Sequence, residues 1–336
     1  MKKTILSLTF LWAISSFAQT LTNDWHLKYS PKDTVFGINL HQALKDIPQP
    51  ATAKKVIVAV IDNGIDIKHS DLKANIWTNT NEIPGNSVDD DHNGYIDDIN
   101  GWDFLGNIGK DIDHDNLEMT RLLRNYKEKF GNKTSKEISK SDKAEYKKYL
   151  ELQKDFDKEY QYAEANYNIY KRLKDEMDQL CTEMGKKNPT LSELEAFEPK
   201  QPETKLAKAK TVNICKKYNQ TPESLFGEID GAYKHFNDQY NYHYNLKFDP
   251  RKVVGDNYLD VKDNKYGNNE VGGPDPDHGS HVAGIIGAVR ENNLGMDGIC
   301  PLIEIMVIRV VPNGDERDKD VALAIRYAVD NGAKII

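Results

Sequence analysis

Two apolar runs are set in an otherwise charged chain. Val56 to Asp66, VIVAVIDNGID, is almost unbroken in its hydrophobicity and closes on an acidic residue and a glycine, the pattern of a parallel strand buried on both faces. Ile303 to Val311, IEIMVIRVV, repeats it. The stretch DKDVALAIRYAVDNGA that follows has helical spacing and is predicted to end at Gly332. Ahead of the second run, DHGSHVAGIIGA has the small residues of a helix packed closely on neighbouring backbone, with Gly279, Gly284 and Gly287 expected at the contacts. Strand and helix alternating in this way predict right-handed crossovers onto a parallel sheet, an α/β fold. The final AKII reads as a strand begun and not completed.

Residues 106–250 have a different rhythm. From Asp142 to Glu183, Tyr149, Leu152, Phe156, Tyr160, Ala163, Tyr167, Tyr170, Leu173, Met177 and Leu180 recur every three or four positions. They predict one long amphipathic helix, roughly 60 Å at about 1.5 Å per residue. GKKNPT breaks it, Thr190 and Glu193 suggest a capping box for a shorter helix, and Thr221 with Pro222 opens another that runs on through Tyr244. Antiparallel packing would make the tyrosines the seam of a helical subdomain. Cys181 and Cys215 flank its central turn and could pair in an oxidising compartment, whereas Cys300 reads as a small buried residue.

Met1 to Ala18 has Lys2 and Lys3, the apolar run ILSLTFLWAI, and small Ser16 and Ala18 at the cleavage positions, the layout of a signal peptide. It predicts a secreted or periplasmic product with no membrane association once the signal is removed. Residues 19–53 form an N-terminal arm, which Trp25 and Leu27 are expected to clamp in place. The 336 residues carry a net charge of -8, and the 29% that are charged are of both signs, so no nucleic-acid partner is expected.

Asp62 closes the first strand, where open α/β sheets bind ligands, and Gly64 lets the chain turn away. His278 stands where a loop becomes a helix. A helix N-terminus disfavours the imidazolium, so a proton-shuttling histidine there needs a carboxylate beside it. Asp89, Asp91, Asn93, Tyr95 and Asp97, with Gly94 between them, follow the order of a calcium loop, but position twelve is Asn100 rather than a bidentate glutamate. A structural Ca²⁺ is one reading, with Asp98 or a distant group completing the set; a solvated acidic turn is the other. His69 and Asp71 read as structural.

The segments VIVAVIDNGIDIKHSDL and DHGSHVAGIIGA resemble, in the right order, the aspartate and histidine motifs of the subtilisin-like serine peptidases. The resemblance covers about residues 50–104 and 270–336. It implies a subtilisin-like three-layer parallel sheet, with Asp62 fixing the tautomer of His278 and His278 acting as general base and then general acid on polypeptide substrates. His69 and Asp71 match an HPDL element with Ser70 in place of proline, and Ser280 matches the threonine of HGTHVAG and is expected to help cap the helix. Calcium commonly stabilises the family. The family's GTSMA nucleophile and oxyanion-hole asparagine lie downstream of the histidine, and neither motif occurs here, so the chain is expected to be an N-terminal fragment, incomplete at the C-terminus, unstable in isolation and inactive alone.

The two motifs, usually a few tens of residues apart, are here separated by 216 positions. The expected organisation is therefore signal peptide 1–18, arm 19–53, catalytic domain 54–105, helical insertion 106–250 and catalytic domain resumed at 251–336. The insertion could engage a protein partner. The alternative is a non-catalytic secreted binding protein, or a decayed peptidase, in which that engagement is the function.

Overall fold

A computed structural model describes residues 21–29, 35–47 and 54–336; the expected signal peptide lies outside the described residues. In chain order the elements are α1 (Leu40–Asp46), β1 (Val56–Asp62), β2 (Gly101–Asp103), a hairpin of β3 (Gly106–Asn107) and β4 (Lys110–Asp111), then α2 (Glu118–Phe130), α3 (Lys143–Met184), α4 (Leu191–Ala196), α5 (Pro202–Tyr218), α6 (Pro222–Asp238), a π-helical turn (Gln239–His243), α7 (Arg251–Val254), α8 (Asp277–Gly287), β5 (Ile303–Arg309) and α9 (Asp318–Asp330).

The two apolar runs are neighbours. β5 lies between β1 and β2, parallel to both, with Val56 opposite Ile303 and Asp62 opposite Arg309. Ile335 bridges Val58 in parallel on the free side of β1. Because side chains alternate across a strand, each run serves two layers. Val58, Val60, Ile303, Ile305 and Val307 pack with Ala283 of α8, while Ala59, Met306 and Ile308 pack with Leu323, Ala324, Tyr327 and Ala328 of α9. Burying each of the larger aliphatic side chains contributes about 1.5–3 kcal/mol relative to exposure. Arg309 ends β5 as a fully buried cation, donating to Asp103 Oδ2 at 2.8 Å.

Residues 106–250 hold five α-helices, α2 to α6, and the π-helical turn. α3 has the predicted length; Tyr149 and Phe156 pack with Leu123 and Phe130 of α2, and Met177 packs with Cys215, Leu225 and Phe226. Tyr167 stacks on Tyr240 with ring centroids 5.0 Å apart and Tyr170 on Phe236 at 5.4 Å, so these tyrosines form a seam. The Thr190–Glu193 capping box is present and Pro222 occupies the first turn of α6. Two helices go beyond the sequence reading: α2, and α5, which sits against α3. Cys181 and Cys215 are thiols in one apolar cluster rather than a disulfide. Buried ion pairs tie this region to α9 and its approach: Arg317 donates to Asp115 at 2.7 Å, and Arg251 to Asp320 at 2.7 Å. No helix of the described residues is long and apolar enough to cross a membrane.

Candidate active site

β1 delivers Asp62 at its carboxyl end, and the chain then turns through Gly64 at φ +117°. A Cβ on Gly64 would lie 2.2 Å from the carbonyl oxygen of Gly272, so no other residue fits. One turn into α8, a Cβ on Gly279 would lie 2.1 Å from the carbonyl oxygen of Gly64. Glycine-to-glycine contact thus brings the start of α8 against the end of β1. Gly287 serves the same purpose against Ile303, but Gly284 faces open space, contrary to the close approach expected of it.

The consequence is a contact between residues 216 positions apart. His278 Nδ1 lies 2.9 Å from both Asp62 carboxylate oxygens, and the Asn63 amide donates to Asp62 Oδ1 at 2.7 Å. The carboxylate side chain is 14% exposed and the imidazole 70%. Asp62, by hydrogen bond and charge, raises the His278 pKa above its ordinary 6.5, with a smaller push from Asp277; this offsets the helix N-terminus. With Nδ1 turned to the carboxylate, Nε2 is the nitrogen left for chemistry.

Asn63 spans the junction. Its Oδ1 accepts from the Gly279 amide at 2.9 Å, and its Nδ2 donates to the Asp275 carbonyl at 2.8 Å. The sequence reading missed it, and nothing in its spacing announces it. Ser280 does not cap the helix as expected: its hydroxyl accepts from the Asp66 amide at 2.9 Å, away from the imidazole. The pair opens on a cleft of about 400 Å³, lined also by Asn63, Lys234, Asp275 and Asn313. A second open cleft, about 510 Å³ along α4 and α5, shares no residue with it.

The acidic loop is folded around its own amides, and its carboxylates are held in two ways. Asp89 is used locally, accepting from the Asn93 and Gly94 amides at 3.1 and 2.9 Å, and Asn93 Oδ1 accepts from the Tyr95 amide. The Tyr95 ring stacks edge-on against Trp102 and Tyr327. Asp97 is buried and accepts from the amides of Gly85, Asn86 and Ser87.

The carboxylates that converge are Glu82, Asp91 and Asp98, with ligand atoms within 4.8 Å of one another. Only Asp91 is common to this group and to the five residues read from spacing. Desolvation pushes Asp98 up to about 6, with Asp91 adding to it, against the hydroxyl of Tyr327 and the amides of Asn79 and Asn93. A semi-buried, oxygen-only set of this kind fits a hard divalent cation. Glu82 lies ahead of the motif, where spacing carries no signal.

Comparison with known proteins is consistent with this geometry. Aligned segments are 37% identical over 106 residues to "Subtilisin-like protease 1" of Plasmodium berghei, covering 30% of this chain and 17% of that protein. The "Cell wall-associated protease" of Bacillus subtilis is 38% identical over 78 residues, 23% of this chain and 9% of that protein. Thermitase of Thermoactinomyces vulgaris is 45% identical over 60 residues, 18% of this chain and 22% of that protein. The chain thus spans less than a quarter of the length of these curated relatives. The model of the subtilase family matches across residues 53–336, which take in the strand ending in Asp62, the helix opening with His278 and everything between, and on that match the chain belongs to the subtilase family.

Proposed function

We propose that this chain supplies the aspartate and histidine of a secreted or periplasmic subtilisin-like serine endopeptidase. The observation that carries the reading is the placement of His278 Nδ1 within 2.9 Å of both Asp62 oxygens at the edge of an open cleft. In that role Asp62 holds the proton on Nδ1 and stabilises the imidazolium, while Nε2 takes the proton of an attacking serine hydroxyl and later gives it to the leaving amine. Ser280 is not that serine, because its hydroxyl is committed to Asp66.

Glu82, Asp91 and Asp98 would hold a structural Ca²⁺, which supplies charge neutralisation for three crowded carboxylates and no chemistry of the reaction. The helices between residues 106 and 250 are an insertion between two parts of one catalytic domain, 54–105 and 251–336, preceded by the signal peptide at 1–18 and the arm at 19–53.

The test is paired. The 336-residue chain alone should neither hydrolyse casein nor react with a serine-directed phosphonate, whereas the full-length gene product should do both and lose hydrolysis in His278→Ala. A full-length product that is inert, or one that is unaffected by His278→Ala, removes the reading.

A further inference from the structure

The end of α6 reaches the cleft that holds Asp62 and His278. Lys234 Nζ lies 3.5 Å from Asp275 Oδ2, three residues ahead of His278, and both side chains are more than half exposed. Asn313, on the same wall, accepts from His243 of the π-helical turn at 3.1 Å and donates to Asp238 Oδ2 at 2.9 Å. His114 stacks on Tyr242 with centroids 4.0 Å apart and sits 3.2 Å from Asp113, a further residue of the cleft. Helix, turn and cleft wall are one braced unit.

The charges on that wall are unequal in their freedom. Asp62 is engaged by His278, and Arg309 is buried against Asp103. Among the described residues lining the cleft, Lys234 is the one exposed lysine or arginine, and it covers Asp275. A solvent-exposed pair of this kind is held weakly, so the ammonium is displaceable but biases what approaches.

We propose that α6 forms a wall of the polypeptide cleft and that Lys234 is a specificity-determining residue, whose ammonium masks Asp275 and disfavours substrates presenting a basic side chain to that wall. The inference rests on the peptidase reading and deepens it. Removing the cation uncovers Asp275 in a cleft also lined by Asp113 and Asp277, so basic side chains gain; removing Asp275 frees the ammonium, so they lose further.

The experiment measures kcat/KM of the full-length gene product on peptides that carry Lys, Gln or Glu at one position at a time around the scissile bond. At one of these positions Lys234→Ala should raise the Lys-over-Glu ratio roughly two- to fivefold, and Lys234→Glu should raise it further in the same direction. Asp275→Asn should lower the ratio. All three shifts should shrink in 1 M salt, where screening acts over about 3 Å. Lys158→Ala, on the exposed face of α3, is the control for net charge and should leave the ratio unchanged.

Unaltered ratios in both Lys234 variants, or an equal shift in Lys158→Ala, overturn the wall while the peptidase reading stands. Peptides left uncut, or cut equally well without His278, overturn the peptidase reading and the wall with it.

Discussion

Of the seven residues of β5, Ile305, Met306, Val307 and Ile308 expose no surface at all, whereas α3 runs for 42 residues and buries five side chains. The strand is fixed by hydrogen-bonded neighbours on both edges and a helix layer on each face. The helix is fixed along a single seam, and much of its surface carries exposed ion pairs such as Lys171 with Asp175. The difference bears on function. A proton relay needs two side chains held within tenths of an ångström, which the sheet end provides, while a wall that selects side chains can rest on an element with more freedom.

The largest effect should fall on the relay. Asp62→Asn in the full-length gene product is expected to lower kcat/KM for peptide hydrolysis by about 10⁴-fold, because the amide N–H donates to Nδ1 and favours the His278 tautomer that carries its proton on Nε2, which cannot accept one from the serine. Tyr167→Ala, in the helical seam, should cost less than tenfold; an equal loss in the two variants would dissolve the contrast. The same pair fixes the pH dependence. Asp62 raises the His278 pKa above the ordinary 6.5, and the general base must be neutral, so the rate should climb with pH through that raised value. In Asp62→Asn the residual rate should climb at lower pH. Any contribution of this pair to stability has the opposite sense: it is fully present below the unfolded value near 6.5 and is lost as pH rises through the folded one.

Packing comes next. Met306→Ala removes a fully buried side chain between the strand and α9 and should cost about 2–5 kcal/mol in urea unfolding of the full-length product. Tyr170→Ala, from a partly exposed stack, should cost about 0.5–1.5 kcal/mol beyond its lost area. Near-equal losses would mean that the helical seam is as firmly packed as the sheet.

The acidic group is intermediate. If Glu82, Asp91 and Asp98 hold calcium, adding it at about one hundred times its dissociation constant should stabilise the fold by about 2.7 kcal/mol, read as a rise in Tm. The rise should vanish in Asp98→Asn and persist in Asp89→Ala. Persistence in the first and loss in the second would return the site to the loop positions predicted from spacing.

The parts of the molecule legible in the sequence were those where one local rule decides the outcome. An apolar run of strand length, rich in valine and isoleucine and ending in Asp62 just ahead of Gly64, reads as a strand buried on both faces. Gly279 allows α8 to approach β1, and the stripe on α3 has a helical period. Where tertiary partners decide, the sequence was mute. α2 starts after Leu117, which has no capping side chain, and is held instead from far along the chain: Asp315 Oδ2 accepts from the Glu118 amide at 2.7 Å, and Arg121 donates to the carbonyls of Asn116 and Asp315. The approach of Glu82 to Asp91 and Asp98 emerges only when the chain folds back. Ser280 was misread because its position in α8 suggested a cap, while its hydroxyl is taken by a backbone amide 214 residues away.

The smallest effect probes the exposed face of α3. Lys171 and Asp175 are four apart at 2.7 Å, and each is about half exposed. A solvated pair with this spacing contributes about 0.2–0.5 kcal/mol to a helix, and salt screens it. Lys171→Ala should therefore shift the unfolding free energy by no more than about 0.5 kcal/mol, and alanine's higher helix propensity should offset part of that. A double-mutant cycle with Asp175→Ala, run at low and high salt, isolates the pair. A coupling above about 1 kcal/mol that survives 1 M salt would mean that this face of α3 is covered in the full-length protein, and the single-seam description of the helix would no longer hold.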